Sequence, residues 1–155
     1  MRFLFYDGVL DLEKGRFIVG VKAFALAEEF HGRHFAKVPT VPGVILIEAM
    51  AQLLGWLISY SYDFKVFGIM SLLERVEVAP ALRPGLRAQI RGEMISTSAR
   101  DTLGKAWIEA AGDRIAGVER IIYRHFHEAD PSRLAQQFRY YSGLKGLVTD
   151  PESKA

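Results

Sequence analysis

The stretch from His34 to Tyr60, HFAKVPTVPGVILIEAMAQLLGWLISY, constrains this chain more than any other. It opens as a polar loop holding Pro39 and Pro42, and turns into a helix signal at Pro42. Proline is favoured at the first helical position, where its missing N–H leaves no bond unmade. From Val44 to Ile58 the only polar side chains are Glu48 and Gln52. These two are four apart and share one helix face. A helix apolar all round is buried on all sides, and a carboxyl in such surroundings is costly without a partner or a task.

A membrane span is the simplest reading of the run, but about 20 apolar residues are needed to cross a ~30 Å hydrocarbon core. This run is shorter, holds a carboxyl near its middle, and is flanked by strand patterns. Gly15–Leu26 alternates through Phe17, Val19, Val21 and Ala23, which predicts a strand. Val66–Ala79 and Leu86–Ser98 read as further long strands, the former with one irregularity. Arg100-Asp101 marks a turn, and 102–111 with 114–126 form a hairpin pattern about Gly112-Asp113. Before these, Phe3–Tyr6 is a short apolar piece, followed by a turn signal at Asp7-Gly8. One strand, one long helix, then several long strands predict an α+β fold, an antiparallel sheet curled around a central helix.

The end of the chain differs. Asp130-Pro131 reads as an N-cap and first-turn proline, Leu134, Phe138 and Tyr141 share one helical face, and Gly143 is a stop signal. These predict an amphipathic helix of about three turns. Such a helix is marginal alone in water, so its stripe must dock. Docking can cover the outer surface, extend an interface or close the end of a tunnel, and packing on the outer surface is the favoured reading. A chain ending at Ala129 is then expected to keep its dimer and measurable activity, with reduced stability or an altered chain-length preference. The expected division is one domain over residues 1–127 and a tail over 128–155.

At 155 residues the chain suits one domain with a sizeable core. Its net charge of +2 is too small to argue for nucleic acid. The absence of cysteine excludes disulfides, Cys-ligated zinc and thiol nucleophiles. MRFLFYDGVLD lacks the apolar core and cleavage site of a signal peptide, so a cytosolic protein is expected.

His34 and Glu48 are the candidate chemical pair. One precedes a constrained proline loop and the other interrupts an apolar helix. Apolar burial favours the neutral form of a carboxyl. A neutral imidazole can take a proton and a neutral carboxyl can give one. Gly43 follows Pro42, and an N–H in a first helical turn lies at the positive end of the helix dipole, suited to a carbonyl oxygen. The bland alternative makes His34 a bonded loop residue and Glu48 a paired core carboxylate. His31, His125 and His127 have no partners at metal-ligand spacing. Arg33, Lys37, Arg75, Arg83, Arg87 and Arg91 are scattered bases, and Trp56, Phe64 and Phe67 read as core or tunnel wall rather than a base-stacking platform.

The pattern His34-Phe35, Pro39, Pro42-Gly43-Val44, Glu48-Ala49 and Ala51-Gln52 resembles the signature of the 3-hydroxyacyl-[acyl-carrier-protein] dehydratases. Weaker matches at Phe3-Leu4, Asp7, Gly68-Ile69 and Pro84-Gly85 extend the resemblance over about residues 3–126. It implies a hot-dog fold, in which a long sheet wraps a central helix and two subunits pair edge to edge. Each site would combine His34 of one subunit with Glu48 of the other. His34 would remove the C2 proton, Glu48 would protonate the departing 3-hydroxyl, and the Gly43 N–H would hold the thioester carbonyl. The Thr40 carbonyl would orient His34, Gln52 would steady Glu48, and Val44 would line the substrate site. The implied partners are acyl carrier protein and further copies of the chain, as a dimer or a trimer of dimers. No metal or organic cofactor is implied. Glutamate at 48 resembles the dehydratase-only branch rather than the dehydratase/isomerase branch, which has aspartate.

Arg33, Ala36, Lys37 and Leu86 depart from the family's usual Gly, Pro-Gly and acidic positions. They point beyond the housekeeping substrate to a specialised dehydratase of a polyene, polyketide or other accessory acyl pathway. Two other functions stay open at this point. An acyl thioesterase or hydratase of the same fold could use Glu48 to activate water, and a non-catalytic acyl-binding subunit could retain the fold alone.

Overall fold

The computed structural model describes residues 4–27 and 37–144. Strands β1 (Gly8–Glu13) and β2 (Phe17–Phe24) precede helix α1 (Gly43–Ser61). Strands β3 (Val66–Val78), β4 (Leu86–Thr97), β5 (Asp101–Ala110) and β6 (Asp113–His127) follow, and helix α2 (Pro131–Ser142) ends the described chain. The six strands form one sheet in the order β1-β2-β4-β5-β6-β3, and every neighbouring pair is antiparallel. The sheet packs against α1 through β2 to β6, as the hot-dog fold requires.

Most strand signals translate directly. The irregularity expected in β3 is a register shift between Met70 and Leu72, with Ser71 the extra residue. The β5–β6 loop is Ala111-Gly112, one residue earlier than expected, and both sit at positive φ, 52° and 86°. That is the twist a two-residue hairpin needs. Strand β1 has no counterpart in the sequence reading, which saw only a turn at Asp7-Gly8. Asp7 instead anchors the strand pair, its Oδ2 accepting from Ala23 N at 2.7 Å and its Oδ1 from Lys22 Nζ at 3.3 Å.

Helix α1 has 19 residues, about 28 Å at 1.5 Å per residue. It is long and apolar enough to cross a membrane by length and composition. Length therefore does not decide its place; packing does. Leu46, Met50, Leu53, Leu54, Leu57 and Ile58 are fully buried. The other face is not. Val44 is 67% exposed, and Ile45, Glu48, Gln52, Gly55 and Trp56 are half-buried, so the expectation of burial on all sides fails along one stripe. The sheet curls around only part of the helix circumference. Helix α2 covers another part.

The helix comes close to the sheet because small residues lie beneath it. A Cβ built on Gly104 of β5 would stand 2.6 Å from Leu54 Cδ2 and 2.8 Å from the Glu93 carbonyl oxygen. The leucine can turn aside, but the carbonyl belongs to the neighbouring strand. Gly104→Ala is therefore expected to cost ~1–3 kcal/mol, as overpacked cores do. The check is the midpoint of urea unfolding, and an unchanged midpoint would show that the sheet yields there.

Helix α2 forms as its caps direct. Asp130 Oδ1 accepts from Arg133 N at 3.0 Å, Pro131 opens the helix, and Gly143 ends it at φ 67°. Its stripe docks on the hot-dog body. Phe138 is fully buried in the main core cluster, with ring centroids 5.3 Å from Trp56, 6.0 Å from Tyr60 and 5.7 Å from Phe64.

Strand β3 ends the sheet, so one of its edges has no strand beside it among the described residues. Along it Ile69 is 50% and Leu72 41% exposed, and Val76 and Val78 are also exposed. A long apolar edge of this kind is a template for another chain.

Candidate active site

The open stripe of α1 faces a groove of about 470 Å³. Glu48, Ala51, Gln52, Gly55, Trp56 and Ser59 wall it from α1, at the three- and four-residue spacings of one helix face. Phe67, Gly68, Ile69 and Met70 wall it from β3, with Leu4, Tyr123 and Leu134 completing it. Apart from Glu48, Gln52, Ser59, the Trp56 indole N–H and the Tyr123 hydroxyl, these side chains carry no polar group.

Glu48 and Gln52 are joined as their spacing suggested. Gln52 Nε2 donates to Glu48 Oε1 at 2.9 Å, and Gln52 Oε1 accepts from Phe5 N at 3.0 Å. The second bond orients the amide. A backbone N–H can only donate, so the amide oxygen faces Phe5 and the NH2 group faces the carboxyl. Glu48 is thus held at one oxygen by a neutral donor, at the polar end of an apolar groove. Nothing in the sequence linked Phe5 to this pair, 47 residues away.

Tyr123 is a second residue that sequence reading missed. It reaches from β6 to α1, and its hydroxyl donates to the Ala51 carbonyl at 2.7 Å. Burial foremost, and then the nearby Glu48 charge, push this phenol far above its ordinary range. Tyr123 is therefore a neutral donor that fixes helix to sheet behind the groove. Its side chain lies directly over Gly68, where an added Cβ would stand 3.0 Å from Tyr123 Cβ.

The remaining expected site residues lie elsewhere on the helix or its approach. Gly43 is the first residue of α1, with Pro42 as the N-cap, one position before its expected place. A Cβ on Gly43 would meet Val78 Cγ2 at 3.0 Å, so glycine lets the helix N-terminus approach the β3 edge. The loop before it is pinned by Val41, which is buried and donates from its N to Leu82 O at 2.8 Å. Thr40 Oγ1 donates to Val38 O at 3.2 Å. Thr40, Gly43 and Val44 do not line the Glu48 groove. His34 lies outside the described residues, as does His31. His125 Nε2 bonds Thr102 Oγ1 at 2.7 Å, and among the described residues no three His, Asp or Glu gather as for a metal. Trp56 and Phe67 stand in the groove wall, whereas Phe64 is buried in the core. Among the scattered bases, Arg75 and Arg91 pair with Glu119 and Glu93, both at 3.0 Å.

Comparison with known proteins bears on the fold and the family. A family model described as a FabA-like domain matches residues 1–83, more than half of the chain. A 3-hydroxyacyl-[acyl-carrier-protein] dehydratase FabZ of Oleidesulfovibrio alaskensis is 35% identical over 112 residues, covering 69% of this chain and 73% of its own. The enzyme of the same name from Thermoanaerobacter sp. is 29% identical over 123 residues, covering 78% and 85%. Among solved structures, the dehydratase heterocomplex ApeI:P of Xenorhabdus doucetiae has a TM-score of 0.63 at 12% identity, covering 87% of this chain and 90% of that one. A hypothetical thioesterase with coenzyme A from Streptococcus pneumoniae reaches 0.60 at 11% identity, covering 78% and 87%. Dehydratases and thioesterases thus share the fold, and the fold alone does not choose between them. The sequence relatives do: with its family-model match and its Glu48-Gln52 helix, this chain belongs to the FabA-like family of 3-hydroxyacyl-[acyl-carrier-protein] dehydratases.

Proposed function

We propose that the protein is a hydro-lyase that converts 3-hydroxyacyl chains on acyl carrier protein to trans-2-enoyl chains, in fatty acid or related polyene or polyketide-type synthesis. The observation that carries this reading is the Glu48 carboxyl, held by Gln52 at the polar end of an apolar groove. Such a groove suits an alkyl chain, and the carboxyl stands where one polar group on that chain would lie.

In this reading His34 takes the C2 proton while the thioester carbonyl rests on the Gly43 N–H at the positive end of α1. The C3–O bond breaks as Glu48 gives its proton to the hydroxyl, and water leaves. The histidine ends protonated and the carboxyl ionised; exchange with solvent restores both. Gln52 steadies Glu48, Thr40 orients the histidine through its carbonyl, and Val44 contributes to the substrate surface. Catalysis belongs to the hot-dog body, residues 1–127, with 128–155 as an addition to it, in the cytoplasm.

Two copies pair through β3, covering Ile69 and Leu72, with a trimer of dimers as a further assembly. Pairing brings His34 of one subunit to Glu48 of the other. An inactive His34→Ala chain mixed with an inactive Glu48→Gln chain is then expected to regain activity on subunit exchange, since each mixed dimer holds one intact site. A confirmed mixed dimer with no recovery would place both groups in one subunit.

The direct test is incubation with a 3-hydroxyacyl carrier protein, following enoyl product, free thiol and bound acyl chain together. Enoyl formation is expected. Free thiol instead would identify a thioesterase, and bound acyl chain without turnover a non-catalytic subunit.

A further inference from the structure

The groove is not walled by the sheet and α1 alone. Leu134, from α2, stands in it together with Leu4, Trp56 and Phe67. The chain after β6 is pinned beside the C-terminal end of α1, where Glu128 N donates to Lys65 O at 2.9 Å. Asp130 then caps α2, and Phe138, one turn beyond Leu134, seats the helix on Trp56, Tyr60 and Phe64. Trp56 therefore serves twice, as groove wall and as the seat of α2. It lies eight residues beyond Glu48, about 12 Å along the helix axis.

We propose that α2 is the end wall of the acyl groove, and that Leu134 with Trp56 sets the longest acyl chain this protein accepts. The inference rests on the dehydratase reading for the identity of the occupant. An extended chain advances about 3.5 Å per three backbone bonds, so the axial distance from Glu48 to Trp56 takes up about ten bonds. With C3 at Glu48, a chain reaches α2 about ten carbons further on. Up to that length each added methylene is buried, and affinity rises about fourfold per methylene. Beyond it the chain meets Leu134, and the rise stops. A helix that merely covered the outside of the protein would change stability without moving that limit, whereas an end wall makes the tail a determinant of specificity.

The test uses the full chain, its Leu134→Ala and Leu134→Trp variants, and two ladders of carrier proteins from butyryl to octadecanoyl length. Saturated acyl chains, which cannot react, read binding. 3-Hydroxyacyl chains read enoyl formation. Removing the Leu134 side chain is expected to move the break in the binding curve to chains two to four carbons longer, by about three bonds per 3.5 Å of freed length. Leu134→Trp is expected to move it the other way, while the shortest chains bind each form equally. Loosening of α2 cannot shift the break in opposite directions, so the pair separates shape from stability. A break that neither substitution moves would overturn the end-wall assignment while leaving dehydration intact. Shifted breaks without enoyl product would keep the wall and sink the dehydratase reading. No binding of any acyl chain would overturn the assignment.

Discussion

Glu48→Gln is expected to give a folded protein that binds its acyl substrate and loses ~10²–10⁴-fold in turnover, the usual contribution of a general acid. The substitution is a narrow one. Gln52 presents its NH2 group to Glu48 because its oxygen is committed to Phe5 N. A glutamine at 48 can still accept that bond through its own carbonyl, so the local geometry is kept. What disappears is a proton of suitable acidity at the departing hydroxyl. The loss should therefore fall on kcat, with KM little changed, because a group acting only in the transition state leaves ground-state binding alone. Steady-state kinetics on a 3-hydroxyacyl carrier protein check it. If the variant keeps most of its turnover, Glu48 is a structural carboxyl and the acid lies elsewhere.

His34→Ala is expected to be as damaging, by a similar ~10²–10⁴-fold, because in the proposed reaction it removes the base that takes the C2 proton. Its position rests on the family signature, since His34 lies outside the described residues. The same substrate and assay apply, with one added readout. Exchange of the C2 proton with deuterated solvent, followed on a substrate that cannot lose water, should stop in His34→Ala and persist in Glu48→Gln. Near-native turnover by His34→Ala would remove the mechanism.

Much of the molecule is legible in the sequence because the signals concerned are local. The apolar run with Glu48 and Gln52 four apart determines a helix with two polar groups in reach of one another, and they do bond. Alternation in Phe17–Phe24 and in β4 to β6, with Gly112 at the hairpin, determines the strands. Asp130, Pro131 and Gly143 determine both ends of α2 through bonds within a few residues. The His34, Pro42-Gly43 and Glu48 spacing carried the family, and relatives named dehydratases agree.

Other features depend on residues distant in sequence meeting in space, and no local pattern encodes them. Strand β1 exists because it pairs with β2, from Gly8 opposite Val21 to Glu13 opposite Phe17, with Asp7 tied to Ala23 16 residues on. The orientation of Gln52 depends on Phe5, and the brace behind the groove on Tyr123 reaching Ala51 across 72 residues. The stripe Leu134, Phe138, Tyr141 announced that α2 must dock, since a short amphipathic helix cannot hide an apolar face by itself. Only the tertiary structure decided where. The sheet curls around one side of α1 and leaves Trp56 open, and the pinned turn at Glu128 aims α2 onto it, which makes a tail residue part of the wall facing Glu48.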